Sequence, residues 1–214
     1  MSSVAVIDYG MGNLHSIAKA LQHARQDVDV RVVSSPEAIL AADKVVFPGV
    51  GAIRDCMYAL EQTGLSKVII EAAKTKPFLG ICLGMQALLT DNEENGHTKT
   101  LNIISGQVVR FSKSLQNKDG NSLKIPHMGW NQVHQQHQHP MWKDIPQDSR
   151  FYFVHSYYAK PSSTAVIVGT SDYPNPFTCA IAQDNIFAVQ FHPEKSQSVG
   201  LQLLSNFLHW DGQS

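Results

Sequence analysis

The chain has 214 residues, of which 43% are hydrophobic and 16% charged, and its formal net charge at pH 7 is −1. This length predicts one domain, spanning residues 1–214, with a sizeable hydrophobic core. The near-neutral charge and the lack of a long basic run give nucleic-acid binding little electrostatic support. No uncharged apolar stretch approaches the roughly 20 residues that a membrane-spanning helix needs, so we expect no membrane attachment.

Cysteine usage and the N-terminal residues indicate the compartment. Cys56, Cys82 and Cys179 form an odd set without paired spacing, which argues against a disulfide framework. The N-terminal residues also lack the basic and then apolar pattern of a secretory signal. The sequence therefore predicts a reducing compartment, the cytoplasm.

The first half of the chain alternates strand and helix signals. Short apolar runs end at turn residues, and amphipathic stretches separate them. Predicted strands cover residues 4–8, 28–33, 45–47 and 78–81; predicted helices cover 13–24, a segment from Pro36 capped by Ser35, 52–74 with a break near Gly64, and 83–89. This order predicts an α/β fold with a mostly parallel sheet covered by helices on both faces. Ligands of such sheets bind beyond the carboxyl ends of the strands.

The second half of the chain is richer in strand signals. Predicted strands cover residues 103–111, 150–154, 165–170, 179–183 and 186–190, and a last helix covers 197–210. Asp184-Asn185 predicts a tight turn, so the last two strands form an antiparallel hairpin. The polar segment 112–121 is expected to be a mobile loop.

The sequence Gly80-Ile81-Cys82-Leu83-Gly84 joins a predicted strand to a predicted helix. A nucleophile between two glycines in that setting is typical of a nucleophile elbow, a tight turn whose flanking positions must be small. A helix N-terminus favours the thiolate, and the backbone N–H of Leu83 can donate to an oxyanion. The alternative is a buried structural cysteine between two incidental glycines. Cys56 and Cys179 lack this setting, and we interpret them as ordinary small residues.

A cysteine nucleophile needs a base, and His192-Pro193-Glu194 offers one. His192 follows an apolar strand signal, and proline makes an extended or turn geometry there favourable. In such a geometry the side chains of His192 and Glu194 lie on the same side, so the carboxylate can orient the imidazole. The alternative is a solvated turn.

Three other histidines, His134, His137 and His139, are spaced closely enough to suggest a metal site. Their segment has no cysteine or acidic partner and is rich in glutamine, so we expect a solvated loop and no metal.

These pieces together resemble the class I (triad) glutamine amidotransferases. The matching motifs are Pro48-Gly49-Val50-Gly51, Gly80-Ile81-Cys82-Leu83-Gly84-Met85-Gln86 and Gln190-Phe191-His192-Pro193-Glu194-Lys195-Ser196, in the family's order. Within it, the sequence looks most like the glutaminase-subunit family of imidazole glycerol phosphate synthase. That likeness rests on Asp8-Tyr9-Gly10-Met11-Gly12-Asn13-Leu14, Pro126-His127-Met128-Gly129-Trp130-Asn131 and Tyr152-Phe153-Val154-His155-Ser156-Tyr157-Tyr158. Ile53 departs from the family pattern, where an aromatic residue is common. The resemblance implies a class I glutamine amidotransferase-like (flavodoxin-like) fold.

The resemblance also implies a role for each matching residue. Cys82 attacks the carboxamide of L-glutamine and forms a γ-glutamyl thioester, His192 moves protons, and Glu194 orients His192. Backbone N–H groups of Leu83 and of Gly49, Val50 and Gly51 hold the oxyanion. Glutamine itself is bound near Gly51, Gln86, Ser156 and Tyr157. The chemistry requires no cofactor and no metal.

The partner implied by the resemblance is a (β/α)-barrel cyclase that forms a heterodimer with this chain and receives its ammonia. The cyclase makes imidazole glycerol phosphate and an aminoimidazole carboxamide ribonucleotide for histidine biosynthesis. Asn13, Trp130 and Lys195 are the interface candidates, the first two expected on loops; the alternatives are that Trp130 is a core aromatic residue and Asn13 only a helix cap. Family members hydrolyse glutamine slowly until the cyclase and its ligand are bound.

Three other functions stay open at the level of sequence. The chain could be a glutaminase subunit of a different synthase, a stand-alone cysteine hydrolase of γ-glutamyl compounds, or a non-enzymatic member of the fold that only binds partners. The last has the least support, because Cys82, His192 and Glu194 are all present.

Overall fold

A computed structural model describes residues 2–112, 114–116 and 120–213. The predicted polar loop at 112–121 therefore lies partly outside the described residues. The strands are β1 (Ser3–Ile7), β2 (Asp29–Val33), β3 (Lys44–Gly49), β4 (Phe78–Cys82), β5 (Asp91–Asn92), β6 (Thr98–Lys99), β7 (Gly106–Arg110), β8 (His127–Gln132), β9 (His134–Gln135), β10 (Arg150–His155), β11 (Tyr157–Pro161), β12 (Ile167–Asp172), β13 (Pro176–Gln183) and β14 (Ile186–Val189). The helices are α1 (Leu14–Ala24), α2 (Pro36–Ala41), α3 (Ile53–Gln62), α4 (Leu65–Thr75), α5 (Leu83–Ala87) and α6 (Gln197–His209).

The parallel half of the large sheet has the order β2-β1-β3-β4-β14. Its strands are short and apolar, and β3 and β4 are buried along their whole length. The predicted strands and helices of the first half are confirmed, with boundary differences of a few residues. Gly64 (φ 69°) separates α3 from α4, and the Ser35 side chain accepts a hydrogen bond from the N–H of Ala38 at 3.2 Å.

Helices cover both faces of this sheet, as predicted. Alternate residues of β1 point to opposite faces: Val4 and Val6 join one core cluster, and Ala5 and Ile7 join the other. The first cluster is completed by α1 and α6, and the second by helices α2 to α5. No helix in the described part of the chain is both long and apolar enough to cross a bilayer.

The antiparallel half continues from β14 through β13 and β11 to β7. The hairpin predicted at Asp184-Asn185 is confirmed, because Gln183 pairs with Ile186 and Asp184 adopts a left-handed φ of 52°. This hairpin places β14, the last strand in sequence, beside β4 in the middle of the sheet.

Two predictions for the segment after residue 126 were wrong. Trp130 was expected on a loop, but it lies on β8, which pairs with β10 in a separate two-stranded antiparallel sheet. The histidine-rich segment was expected to be a solvated loop, but β9 pairs with β12 and His139 is only 9% exposed. His139 caps a 3-10 turn at Pro140–Trp142 by accepting a hydrogen bond from the N–H of Met141. Burial of this polar side chain is stabilised by that bond.

Candidate active site

The turn at Cys82 has the strained geometry of a nucleophile elbow. Cys82 ends β4 with φ 55° and ψ −109°, a region that residues with a side chain rarely adopt. A Cβ on Gly84 would lie 1.9 Å from the carbonyl oxygen of Phe47, so α5 can approach β3 only with glycine there. The backbone therefore holds the thiol at the carboxyl end of β4, at the start of α5.

The segment Gly49 to Gly51 lies beside this turn, because Gly49 is paired with Cys82 in the register of β3 and β4. A Cβ on Gly49 would meet the Leu83 Cβ at 2.8 Å, and Gly51 adopts φ 98°. Val50 is 39% exposed. Val50, Gly51 and Leu83 thus line the same cavity as Cys82.

His192 and Glu194 form a buried pair. His192 Nδ1 lies 2.8 Å from Glu194 Oε1, and the two side chains are 3% and 1% exposed. Two hydrogen bonds stabilise the turn at His192. The His192 N–H donates to the Tyr152 carbonyl at 2.9 Å, and the Ser196 hydroxyl donates to the His192 carbonyl at 2.6 Å. The Nδ1 atom is occupied by Glu194, so Nε2 is the nitrogen available for chemistry.

The ionisation of His192 depends on its neighbours. Burial by itself lowers the pKa of His192, but the negative charges of Cys82 and Glu194 outweigh that effect and raise the pKa to about 10. At neutral pH the ring is therefore an imidazolium beside the Cys82 sulfur.

Cys82 and His192 open into one cavity of about 260 Å³. Most of the residues expected to contact glutamine line it as well. The lining consists of Val50, Gly51, Cys82, Leu83, Gln86, Glu94, Pro126, Val154, His155, Ser156, Tyr157 and His192. Two expected residues stand behind the wall: Glu194 behind His192, and Gly49 behind Leu83.

Two buried amides near Cys82, those of Gln190 and Asn92, were missed by the sequence reasoning. Gln190 Nε2 lies 3.7 Å from Cys82 Sγ, and Gln190 Oε1 accepts a hydrogen bond from Gln86 Nε2 at 3.0 Å. Asn92 Nδ2 donates to Gln86 Oε1 at 3.3 Å. Gln190 stands inside a recognised motif, which was a usable signal; Asn92 carries no pattern that marks it.

Glu94 was also missed, although it lines the cavity and contacts the first residue of α3. Its carboxylate accepts a hydrogen bond from the N–H of Ile53, the first residue of α3, at 2.8 Å. The local motif Asn92-Glu93-Glu94 reads as a polar turn in the sequence, so only the fold identifies this contact.

The interface candidates lie at the surface. Trp130 is 41% exposed, which argues against a core position, and its ring centroid is 6.2 Å from that of Tyr152. Lys195 Nζ lies 5.8 Å from the Tyr152 ring, so Trp130, Tyr152 and Lys195 form one surface cluster. Asn13 is exposed before α1, outside this cluster, and its side chain makes no cap hydrogen bond.

The remaining histidines and cysteines have ordinary contacts. His134 pairs with Asp148 at 2.9 Å, and within residues 2–112, 114–116 and 120–213 no three His, Cys, Asp or Glu side chains are placed to hold a metal ion. Cys56 and Cys179 are fully buried and free.

The chain is similar over nearly its whole length to known proteins. The family model described as glutamine amidotransferase class-I matches residues 5–210. The chain is 62% identical to the imidazole glycerol phosphate synthase subunit HisH of Methylococcus capsulatus, over 99% of this chain and 98% of that protein. It is 56% identical to the HisH subunit of Nitrosococcus oceani, over 100% of both chains.

Solved structures share the fold at low sequence identity. PurLQS from Thermotoga maritima matches with a TM-score of 0.71 and 15% identity, over 97% of this chain and 98% of that one. A glutamine amidotransferase from the same organism matches with a TM-score of 0.65 and 16% identity, over 97% and 96%. With its full-length similarity to the HisH subunits, the chain belongs to the class I glutamine amidotransferases and, within them, to the family of imidazole glycerol phosphate synthase glutaminase subunits.

Proposed function

We propose that Cys82, His192 and Glu194 carry out glutamine hydrolysis in this glutaminase subunit of imidazole glycerol phosphate synthase. The observation that carries the assignment is that a cysteine on a strained elbow and a buried histidine–carboxylate pair open into one cavity. The reaction converts L-glutamine to glutamate and ammonia.

In the first half of the reaction, the Cys82 thiolate attacks the side-chain carbonyl carbon of glutamine. The N–H of Leu83 and an N–H of the segment Gly49 to Gly51 stabilise the oxyanion, and removal of one such donor costs on the order of 10²–10³ in rate in other enzymes. The C–N bond breaks as the imidazolium of His192 gives its proton to the departing nitrogen. Ammonia leaves and a γ-glutamyl thioester remains.

In the second half, neutral His192 takes a proton from water through Nε2 while the oxygen attacks the thioester. The C–S bond breaks, glutamate leaves and the thiolate–imidazolium pair is restored. Glu194 keeps the proton of the ring on Nδ1 when the ring is neutral, so that Nε2 is the basic nitrogen.

The substrate proposal rests on the size and lining of the cavity. About 260 Å³ suits a free amino acid, and Gln86, Ser156 and Tyr157 offer polar groups for its main-chain end. Glu94, which also lines the cavity, adds a carboxylate on that wall. This lining supports glutamine over a γ-glutamyl peptide.

We propose a (β/α)-barrel cyclase as the partner in a heterodimer. The curated relatives are named as subunits of a synthase, and exposed apolar side chains at Met128 and Trp130, with Val50 near the cavity, suit a protein interface. The docked partner excludes water, so ammonia can pass to it before protonation. Three free, buried cysteines support the cytoplasm as the compartment.

The test is glutamine hydrolysis by this chain, alone and with a barrel cyclase and its nucleotide ligand. We expect slow turnover alone and a large rise with the liganded cyclase. Equal turnover in both conditions would instead support a stand-alone hydrolase. A different synthase that stimulates the chain more strongly would reassign the acceptor.

The nucleophile is tested by mass spectrometry after reaction with a diazo-ketone analogue of glutamine. We expect one label per chain on Cys82, none in Cys82→Ala, and full labelling in Cys179→Ala, the matched control at a buried cysteine on β13. An unlabelled wild-type chain would contradict an enzymatic function.

A further inference from the structure

Two buried histidines, outside the catalytic pair, join the surface strand β8 to the wall of the cavity. His127 and His155 are opposite one another in the pairing of β8 with β10. They are 4% and 5% exposed, and His127 Nδ1 lies 2.9 Å from His155 Nε2. Buried polar rings are costly unless their nitrogens are hydrogen-bonded, so the partners of each nitrogen matter.

The direction of the hydrogen bond between the rings is fixed by Asn131. The N–H of Gln132 donates to Asn131 Oδ1 at 2.9 Å, and Asn131 Nδ2 donates to the carbonyl oxygen of Asp172 at 2.8 Å. The same amide nitrogen lies 3.2 Å from His127 Nε2. Because that nitrogen can only donate, Nε2 of His127 accepts and the proton of His127 is on Nδ1.

The proton of His155 is fixed in turn. His127 Nδ1 donates to His155 Nε2, so His155 carries its proton on Nδ1 and donates to the carbonyl oxygen of Tyr157 at 2.8 Å. Burial lowers the pKa of His127 to about 4 and that of His155 to about 3. Both rings are therefore neutral at neutral pH, with every ring nitrogen partnered.

Asn131, His127 and His155 thus form a hydrogen-bonded row that ends at the proposed substrate site. The Tyr157 carbonyl accepts a second hydrogen bond from Gln86 Nε2 at 3.2 Å, and both residues line the cavity. At the other end, the His127 ring is stacked between Phe153 and Tyr173, with centroids 5.0 Å and 4.1 Å away. The rings have little freedom to turn, so the row can hold the carbonyl in place.

We propose that His155, supported by His127, is a positioning residue that holds the Tyr157 carbonyl and the Gln86 side chain in the geometry that binds glutamine. The inference rests on the proposed function, because it takes the cavity as the glutamine site. His155 lines the same cavity as Cys82, but its ring nitrogens are bonded to His127 and to the Tyr157 carbonyl and not to the thiol. Loss of these bonds therefore weakens glutamine binding and leaves the Cys82 thiol reactive.

The kinetic test compares His155→Phe with His155→Asn in the complex with the cyclase. Phenylalanine keeps the ring and removes the donor to Tyr157, so we expect KM for glutamine to rise about tenfold, the order of one hydrogen bond in a buried site. Asparagine places its Nδ2 near the position of the lost Nδ1, so we expect a smaller rise. The exposed His137→Phe is the matched control, with KM unchanged.

A second readout separates positioning from damage to the nucleophile. Alkylation of Cys82 by iodoacetamide, which needs no glutamine site, is expected to stay within about twofold of wild type in both His155 variants. Loss of alkylation together with activity, or an unchanged KM in His155→Phe, would overturn the proposal.

A third readout needs no variant. ¹⁵N NMR of the wild-type imidazoles is expected to show His127 and His155 neutral with the proton on Nδ1, and a proton on Nε2 of His155 would overturn the proposal even if a variant fails to fold. A wild-type chain without glutamine turnover would refute the proposed function instead. If the wild type turns over glutamine normally and the His155 variants keep the wild-type KM, only this inference is refuted.

Discussion

At the scale of single residues, the carboxylate of Glu194 sets the tautomer of His192 and, after Cys82, helps to raise its pKa. The Nδ1–Oε1 contact of 2.8 Å keeps the ring oriented, and the two negative neighbours raise the pKa of His192 to about 10. We expect Glu194→Gln to lower the pKa of His192, because an amide carries no charge. The alkaline limb of kcat/KM then moves to lower pH, and kcat falls by about 10²–10⁴.

The pH profile of glutamine hydrolysis, measured beside Glu71→Gln on the exposed face of α4, checks this prediction. The control should match wild type. An alkaline limb that stays in place in Glu194→Gln would mean that Glu194 does not act on the ring.

The same pair makes stability depend on pH. A histidine whose pKa is raised on folding stabilises the folded state fully below its unfolded pKa of about 6.5. That contribution is lost as the pH rises from there through about 10. We expect urea unfolding of wild type to show a fall in unfolding free energy over this range, and a smaller fall in Glu194→Gln.

The candidate site residues could be predicted where a sequence motif places them at the end of a strand. Cys82 and His192 each follow an apolar strand, and Glu194 lies two residues further, so spacing alone placed all three near one edge of the sheet. The His127–His155 row could not be predicted. Its hydrogen bonds depend on the pairing of β8 with β10, which no local pattern specifies.

At the scale of elements, the contact between α5 and β3 limits what can occupy position 84. A Cβ at Gly84 would lie 1.9 Å from the Phe47 carbonyl, so Gly84→Ala must push the helix away. We expect a loss of about 3 kcal/mol in unfolding free energy, at the upper end for overpacking, with loss of activity because Leu83 moves too. Denaturant unfolding and glutamine turnover measure the two effects.

Gly96→Ala is the comparison for that variant. Gly96 has φ +83° and nothing within 4 Å of an added Cβ, so the cost is the backbone penalty alone, about 1 kcal/mol. Gly84 lies in α5 without a positive φ, so equal losses in the two variants would show that the contact with β3 costs no more than a backbone penalty.

Elements with a regular apolar pattern were predicted, and those with an inverted pattern were missed. The strands β1, β3 and β4 are short apolar runs, so they were identifiable. Strand β8 buries His127 and exposes Met128 and Trp130, the reverse of the usual polarity, so hydrophobic periodicity gave no strand signal.

At the scale of the whole molecule, the surface cluster of Trp130, Tyr152 and Lys195 is what we expect the cyclase to cover. Trp is a frequent interface anchor, so Trp130→Ala should weaken association by about 2 kcal/mol or more, roughly thirtyfold in Kd. Titration calorimetry measures the affinity, and unstimulated glutamine turnover should stay at its wild-type value.

Val32→Ala tests whether any exposed apolar side chain would give the same result. Val32 is 43% exposed and lies on the edge strand β2 of the large sheet. Its removal should leave the affinity for the cyclase unchanged. Similar losses of affinity in both variants would show that the cluster of Trp130, Tyr152 and Lys195 is not the contact with the cyclase.

The parallel half of the fold followed from strand and helix alternation, because right-handed crossovers leave few arrangements. The antiparallel half did not, since the partners of β7, β11 and β12 depend on register and on contacts distant in sequence. The joining of the two halves at β4 and β14 was predicted only as far as the hairpin that carries β14.

That junction has a consequence for synthesis of the chain. The strand that carries the proposed nucleophile and the strand that leads to the proposed base are neighbours in the sheet, although about a hundred residues separate them. A nascent chain on the ribosome exposes Cys82 long before residues 186–194 emerge, and until then the cysteine has no histidine beside it. Cys82 therefore gains its proposed base only when residues 186–194 have emerged, and its thiol stays unactivated until then.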